Sequence, residues 1–361
     1  MLTSDQLLAQ RLQNQQVAAS HCTQPAEVAA RLGGLQAQEY TQVGWAFGVR
    51  LPGAQAADIE HAFAAGTIVR TWLLRGTLHV AAAEDVRWLL ALLAPRLVRM
   101  AATVNTQREL DEAMLRRSQD IVSRALEGRR HLTRGELTAA LAQAGIAATG
   151  PRLASILLRA ALDQVICLGP RRGLEATFVL LDEWVPGSRP RPREEALAEL
   201  ARRYFISHGP ATVPDFAWWA GLTLGEARAG LAAVQTALQH ARLNGQEYWF
   251  PAVSAAPTAP KAYLLPGFDE YFLGYKDRTL LLDAAYIRRV ASSNGIFSPL
   301  IVVDGRVVGI WKRTVKKEAV VVELQPFQPL GVTEQEAIAL AAEQYGQFLA
   351  KKPQVLTAAG V

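Results

Sequence analysis

Residues 68–80 read Ile68-Val69-Arg70-Thr71-Trp72-Leu73-Leu74-Arg75-Gly76-Thr77-Leu78-His79-Val80, two β-branched and aromatic runs joined across Arg75-Gly76. Such side chains fit a pleated surface and glycine supplies the positive φ of a tight turn, so the stretch predicts a β-hairpin. Towards the N-terminus the pattern predicts four short helices. Ser4 is a good N-cap for a helix over about 4–19, and Gln24-Pro25-Ala26-Glu27 opens a second that ends at Gly33-Gly34. A third covers 39–49 and is stopped by Leu51-Pro52-Gly53, and a fourth covers 58–65 before Gly66. Helices followed by a small hairpin are the element order of a winged helix.

Towards the C-terminus the same order returns twice. Thr133, with Glu136 three residues on, is a capping box for a helix that runs to Ala144-Gly145, and a second helix follows over 151–162. Strands at 165–168 and 176–180 then flank Gly169-Pro170-Arg171-Arg172-Gly173, a basic wing tip. The third copy starts at Gly209-Pro210-Ala211-Thr212, with a short helix over 215–220 and a second over 224–235 capped by Thr223. Its hairpin turns at Asn244-Gly245-Gln246, and Asn-Gly is the strongest short-range hairpin signal. Proline mixed with small and polar residues marks linkers at 184–192 and 254–260. Beyond them, Ile301-Val302-Val303 and Arg306-Val307-Val308-Gly309-Ile310-Trp311 bracket an Asp304-Gly305 turn, and 319–324 is another strand. A small C-terminal sheet or barrel follows from this, closed by a helix over 333–349 capped by Thr333 with Glu336.

Composition narrows the class. The chain has 361 residues, half of them apolar and a fifth charged, which is the balance of a multi-domain globular protein. The first nineteen residues are interrupted by polar side chains, so no signal peptide is expected. The most apolar helix, around Trp88, is expected to break at Pro95 and carries Arg87, Arg96 and Arg99, so no membrane partner is expected. A cytoplasmic location is the expectation. Cys22 and Cys167 are the only cysteines and the six histidines are scattered, so neither a metal nor a cofactor is expected. The net charge of +5 and isoelectric point near 9.3 allow a nucleic-acid partner without demonstrating one. Arg306, Lys312, Arg313, Lys316 and Lys317 crowd into one segment, either a basic hairpin or a strand edge protected by lysines.

There is no nucleophile elbow, phosphate-binding glycine loop or dinucleotide fingerprint, and Gly225 and Gly230 fall in a helix. The stretch Leu35-Gln36-Ala37-Gln38-Glu39-Tyr40, between two helices, is the unusual one. In an extended connection Gln36 and Gln38 lie on one side while Leu35 and Ala37 face the core. On spacing alone, the two glutamines read as caps of neighbouring helix ends.

Five blocks in order change that weighting: Gln36-Ala37-Gln38; Arg70-Thr71-Trp72-Leu73-Leu74-Arg75-Gly76-Thr77-Leu78-His79; Gly209-Pro210-Ala211-Thr212 with Asp215-Phe216-Ala217-Trp218-Trp219; Leu265-Pro266-Gly267-Phe268-Asp269-Glu270-Tyr271 with Leu273-Gly274-Tyr275-Lys276-Asp277-Arg278; and Val303-Asp304-Gly305-Arg306-Val307-Val308-Gly309. Over nearly its whole length the chain resembles the bacterial winged-helix DNA glycosylases of the AlkZ/YcaQ family. The resemblance implies an α+β, predominantly α fold: three tandem winged-helix (helix-turn-helix) units packed around a C-terminal β-barrel. The units are expected at 1–83, 84–186 (with a helical connection) and 187–255, and the barrel or sheet with its closing helix at 256–361. It also implies excision of N7-alkylated purines, including crosslinked ones, and carries the family's catalytic Gln-x-Gln onto Gln36 and Gln38. The YcaQ branch has Asp at the second position, so this chain follows the AlkZ pattern.

The chemistry agrees with that assignment. An N7-alkylated guanine is already cationic and departs as a neutral base without an acid. What remains is to hold a water against C1′. A glutamine amide is no general base, but its carbonyl accepts a hydrogen bond and orients water, and its dipole stabilises developing positive charge. No lysine is close to the motif in sequence, so no lyase step is expected. The expected partner is double-stranded DNA carrying alkylated purines, bound by a monomer in the nucleoid. Arg70, Arg75, Lys276, Arg278, Lys312, Arg313, Lys316 and Lys317 are the expected DNA contacts, with Arg70 equally able to pair with Asp58 or Glu60. Asp269 and Glu270 read as structural, buried against arginines such as Arg278, and Trp72, Trp218 and Trp219 as core. The alternative is a non-catalytic winged-helix transcription regulator.

Overall fold

The computed structural model describes residues 2–187, 191–252 and 262–357. The linker expected at 254–260, and residues 188–190 of the one at 184–192, lie outside them. Contacts divide the chain into two compact units, Glu60–Ala196 and Met1–Ile59 with Leu197–Val361.

In the Glu60–Ala196 unit, the hairpin that opened the sequence reading forms as Ile68–Leu73 and Thr77–Ala82, paired from Ile68↔Ala82 to Leu73↔Thr77. The turn uses positive φ at Leu74 (47°) and Gly76 (81°). The second hairpin, Ile166–Arg172 with Glu175–Leu180, joins the first through Arg70↔Leu168. The strands Thr77–Ala82, Ile68–Leu73, Ile166–Arg172, Glu175–Leu180 and Leu132–Thr133 therefore run side by side in one sheet. That merger is a tertiary event with no local signal. Helices Glu112–Leu126, Arg134–Gln143 and Gly150–Leu162 bury Leu115, Val122, Leu126, Leu137, Leu141, Ile156 and Leu157 in a core shared with Phe178, each such side chain contributing about 1.5–3 kcal/mol.

Of two local expectations in this unit, one held and one did not. Thr133 caps its helix as read, accepting from the Glu136 N–H while the Glu136 carboxylate accepts from the Thr133 N–H. Pro95, in contrast, does not break its helix, which runs unbroken over Val86–Gln107. Pro95 and Ala91 are both exposed, so the carbonyl left without its helical donor faces solvent. Burial of Trp88, Leu89, Leu92 and Leu93 on the opposite face offsets an interior proline's cost of about 3 kcal/mol.

The other unit opens with Ser4–Asn14, Pro25–Leu32 and Tyr40–Gly48. Thr3, not Ser4, caps the first helix, in a reciprocal box with Gln6, and the helix ends at Asn14 because Gln16 turns to φ 62°. Val213–Ala220 and Leu224–Val234 are capped by Thr212 and Thr223 and lead into the hairpin Gln239–Leu243/Gln246–Phe250, with Asn244 and Gly245 both at positive φ. The C-terminal sheet has the order Lys352–Thr357, Ala319–Pro326, Arg306–Val315, Leu300–Val303, Ala262–Leu265. It is a curled half-barrel rather than a closed barrel, with a register shift between Ile301 and Val302. The closing helix, Val332–Phe348, starts from Gly331 with Glu334, not from Thr333 with Glu336.

The same sheet fixes the helix that follows the Gln-x-Gln stretch. Trp45 packs on Tyr345 and Phe348 with ring centroids 4.9 and 5.2 Å apart, and its Nε1 donates to the Leu264 carbonyl at 2.6 Å. Trp311 reaches Tyr345 from the sheet and donates to the Leu265 carbonyl at 2.9 Å. No helix among the described residues is long and apolar enough to cross a membrane. Replacing the Thr133 cap, Thr133→Ala, is expected to lower stability by about 1 kcal/mol, read as a lower urea midpoint at unchanged m-value; an unmoved midpoint would show that the cap carries no stability.

Candidate active site

Gly33 (φ 74°) ends the helix Pro25–Leu32, and after Gly34 (φ 144°) the chain extends through the short strand Leu35–Gln36. Leu35 and Ala37 are buried, Gln36 is half-buried and Gln38 is exposed. The two-residue alternation thus points the glutamines away from the core, as an extended connection requires. Just beyond the motif, Arg313 donates from Nη2 to the carbonyl and Oγ1 of Thr41, both at 3.1 Å, and Gln42 accepts from the Gly267 N–H at 2.9 Å.

Beneath the motif lies the Asp269-Glu270-Tyr271 run, which starts the short helix Glu270–Leu273. Glu270 is 1% exposed; its Oε1 accepts from the main-chain N–H of Gln36 at 2.8 Å and its Oε2 from Trp219 Nε1 at 2.8 Å. His208 Nε2 stands 3.5 Å from the same Oε2. Trp219 also packs towards Gly33, where a Cβ would come within 3.3 Å of the indole. One tryptophan therefore touches both the glycine that ends the helix before the motif and the carboxylate that holds the motif's main chain.

Asp269 is tied elsewhere. Both of its oxygens receive Arg50, Nη1 and Nη2 at 2.8 Å each, with both side chains fully buried. Arg50 also donates to the carbonyls of Gln15 and Ala46, at 2.9 Å each, and to Gln15 Oε1 at 3.2 Å. Burial works against the guanidinium charge, but Asp269 more than offsets it and raises the Arg50 pKa. At His208 burial prevails over the pull of Glu270, and the imidazole pKa is lowered. Gly274 admits no side chain, since a Cβ would sit 2.5 Å from His208 Cδ2 and 2.6 Å from the Glu270 carbonyl.

The remaining expected residues scatter. Asp269 and Glu270 are buried as expected, but the arginine against Asp269 is Arg50; Arg278 instead lies over Trp218 and Phe272, 4.8 and 4.9 Å from their centroids. Lys276, Lys312, Lys316 and Lys317 are exposed, and Arg278 and Arg313 half-buried. In the other unit Arg75 is half-buried, whereas Arg70 is buried within its strand, which is a sheet position and not that of a phosphate contact. Trp219 is fully buried, with Trp72 and Trp218 half-buried. Sequence reasoning missed Gln15, Arg50 and His208, which only long-range contacts assemble. The one signal available was an acidic pair, Asp269-Glu270, inside an otherwise apolar block. Among the described residues no group of three or more His, Cys, Asp or Glu is arranged to hold a metal ion, and both cysteines are free.

The family model for "DNA glycosylase AlkZ-like" proteins matches residues 29–348, a span that includes the glutamine pair, Arg50, the acidic run and the basic strands. The chain belongs to the AlkZ-like DNA glycosylases. A Streptomyces sahachiroi protein described as an interstrand DNA cross-link repair glycosylase is 30% identical over 365 residues, covering 93% of this chain and 95% of its own. The solved structure of the Streptomyces sahachiroi DNA glycosylase AlkZ superposes with a TM-score of 0.82 at 25% identity, covering 99% of this chain and all of the other. An AlkZ-like chain is an enzyme with DNA as its substrate, which decides against a non-catalytic regulator. For this AlkZ-like site, Arg50→Ala is expected to cost about 3–5 kcal/mol by leaving Asp269 buried without its partner. Urea unfolding checks this, and a loss below about 1 kcal/mol would show that the pair does not hold the acidic run in place.

Proposed function

We propose that this enzyme hydrolyses the N-glycosidic bond of N7-alkylated purines in double-stranded DNA, and that it unhooks interstrand crosslinks formed through such bases. The observation that carries the reading is the pair of glutamines turned away from the core on a main chain held by a buried carboxylate. The Gln36 and Gln38 carbonyls orient one water towards C1′. The water oxygen bonds to C1′, the pair of electrons in the C1′–N9 bond returns to the purine and cancels its charge, and the water proton leaves to solvent. Neutral amides suit this reaction because the leaving group carries its own activation. Water as the nucleophile makes the enzyme monofunctional, with no lyase step.

The three helix–hairpin repeats are read as winged helices and the exposed lysines as phosphate contacts. Lys312, Lys316 and Lys317 lie on one basic hairpin whose Arg313 bonds the residue three positions beyond Gln38. Lys276 and Arg278 near the acidic run, and Arg75 on the first wing, extend the contact set. The similarity to a crosslink-repair glycosylase supports the crosslink as substrate.

Gln36→Ala and Gln38→Ala are each expected to slow single-turnover release of N7-methylguanine by about 100-fold or more, the scale of losing a preorganised dipole in a catalytic site, with duplex affinity within about threefold. Chromatographic detection of free base checks this, and wild-type rates in both variants would refute the assignment. Lys316→Ala with Lys317→Ala is expected to reduce the slope of log affinity against log salt by about 2; an unchanged slope would remove the hairpin from the DNA contact.

A further inference from the structure

Glu270 is a buried carboxylate whose recorded bonds serve the motif and not the core alone. A main-chain N–H and an indole N–H are donors only, and Gln36 and Trp219 supply one to each of its oxygens. Both bonds are satisfied by the ionised carboxylate with no proton on either oxygen. The third neighbour is His208, whose ring is stacked on Tyr204 at 4.7 Å and lies 5.1 Å from Trp219. Its Nδ1 is 2.8 Å from Ser207 Oγ, and that hydroxyl is also 2.7 Å from the Arg203 carbonyl.

This arrangement lets the ring titrate without moving a heavy atom. The Ser207 hydroxyl donates to the Arg203 carbonyl and its oxygen accepts from Nδ1–H, so in the neutral ring the unprotonated Nε2 faces Glu270. When the ring takes a second proton, it does so at Nε2, 3.5 Å from Glu270 Oε2, and the Ser207 bonds are unchanged. The first state leaves Glu270 its full charge; the second places an imidazolium beside it and cancels that charge. Other charged and titratable groups pack close to the ring and are engaged elsewhere. Asp269 is bonded at both oxygens by Arg50, and Arg11 lies over the Tyr275 ring, 3.5 Å from its centroid. The Tyr275 hydroxyl donates to the His208 carbonyl, and Tyr204 donates to the Gly274 carbonyl. Asp215 accepts from the main-chain N–H groups of Lys276 and Thr212.

We propose that Glu270 is the positioning residue of the Gln-x-Gln motif, its ionised carboxylate fixing the main chain at Gln36, and that Ser207 and His208 set how much negative charge it presents there. This rests on the reading of Gln36 and Gln38 as the water-holding pair. A fixed anion beside the motif favours both a cationic purine and the positive charge that develops at C1′. Because burial lowers the His208 pKa, the ring is neutral above the ordinary histidine range of about 6.5 and leaves the carboxylate's charge uncancelled. Excision is then lost as pH falls and the His208–Glu270 pair takes up a proton.

The test is single-turnover release of N7-methylguanine from duplex DNA between pH 5 and 8.5 by the wild type, Glu270→Gln, His208→Asn and Gln36→Ala, with melting temperature and duplex affinity measured alongside. Glutamine is isosteric but has one acceptor oxygen for two donors. Glu270→Gln is expected to stay folded, bind DNA within about threefold, and lose about 30-fold or more in rate, the remaining rate being nearly independent of pH. His208→Asn is expected to move the midpoint of the acid limb by about half a pH unit or more. A folded Glu270→Gln enzyme with the wild-type rate and pH profile overturns the proposal. If that variant does not fold, an unmoved acid limb in His208→Asn overturns it. A wild-type rate in Gln36→Ala would instead bring down the motif reading and this inference with it, whereas an inactive Gln36→Ala beside a fully active Glu270→Gln would remove the inference alone.

Discussion

Arg50 and Asp269 form a two-point ion pair with both side chains out of solvent, and the rest of the site is arranged around it. Such a pair is costly to bury, and its Coulomb attraction offsets desolvation only when the remaining donors are also satisfied. Here they are: the guanidinium reaches the Gln15 and Ala46 carbonyls and Gln15 Oε1 as well as the carboxylate. One side chain therefore ties the end of the helix Tyr40–Gly48, the residue after the helix Ser4–Asn14, and the start of the helix Glu270–Leu273. The next residue after Asp269 is Glu270, so fixing the ion pair fixes the carboxylate that holds the main chain at Gln36. The ion-paired carboxylate and the one bonded to the motif's main chain are thus adjacent in the chain.

The site's chemistry depends on what it lacks as much as on what it holds. The motif presents amides, which neither donate nor remove a proton at neutral pH. Glu270, whose carboxylate bonds the motif's main chain, is buried and accepts from N–H donors. An arrangement of this kind gives little help to a base that must be protonated before it leaves. On the proposed reading it suits a base that already carries positive charge, where the remaining work is to orient a water and to stabilise the positive charge developing at C1′.

Local signals were readable where the conformation is decided within a few residues. Asn244-Gly245 and Asp304-Gly305 turn hairpins because each pair adopts positive φ, and Thr133 and Thr223 cap helices through acidic residues three positions on. The alternation of Leu35 and Ala37 inward with Gln36 and Gln38 outward was readable for the same reason. The caps read at Ser4 and Thr333 lay one and two residues past the true ones, but the features that most shape the site escaped because they are long-range. The two hairpins join through a single pairing, Arg70↔Leu168; Arg50 meets a carboxylate 219 residues away; and Glu270 bonds a main-chain group 234 residues away. Pro95 misled because a proline on the exposed side of a helix with a buried opposite face loses its hydrogen bond to water and not to the core.

The central claim is that the glutamine pair delivers water to one face of C1′, and product stereochemistry tests it most directly. In water–methanol mixtures the enzyme partitions C1′ between water and methanol, and the methyl deoxyriboside formed, unlike the free sugar, keeps its anomeric configuration. Attack by a held nucleophile on the face opposite the departing base gives one anomer, inverted relative to the glycosidic bond, and that is the result expected. A mixture of anomers, or retention, would contradict the account.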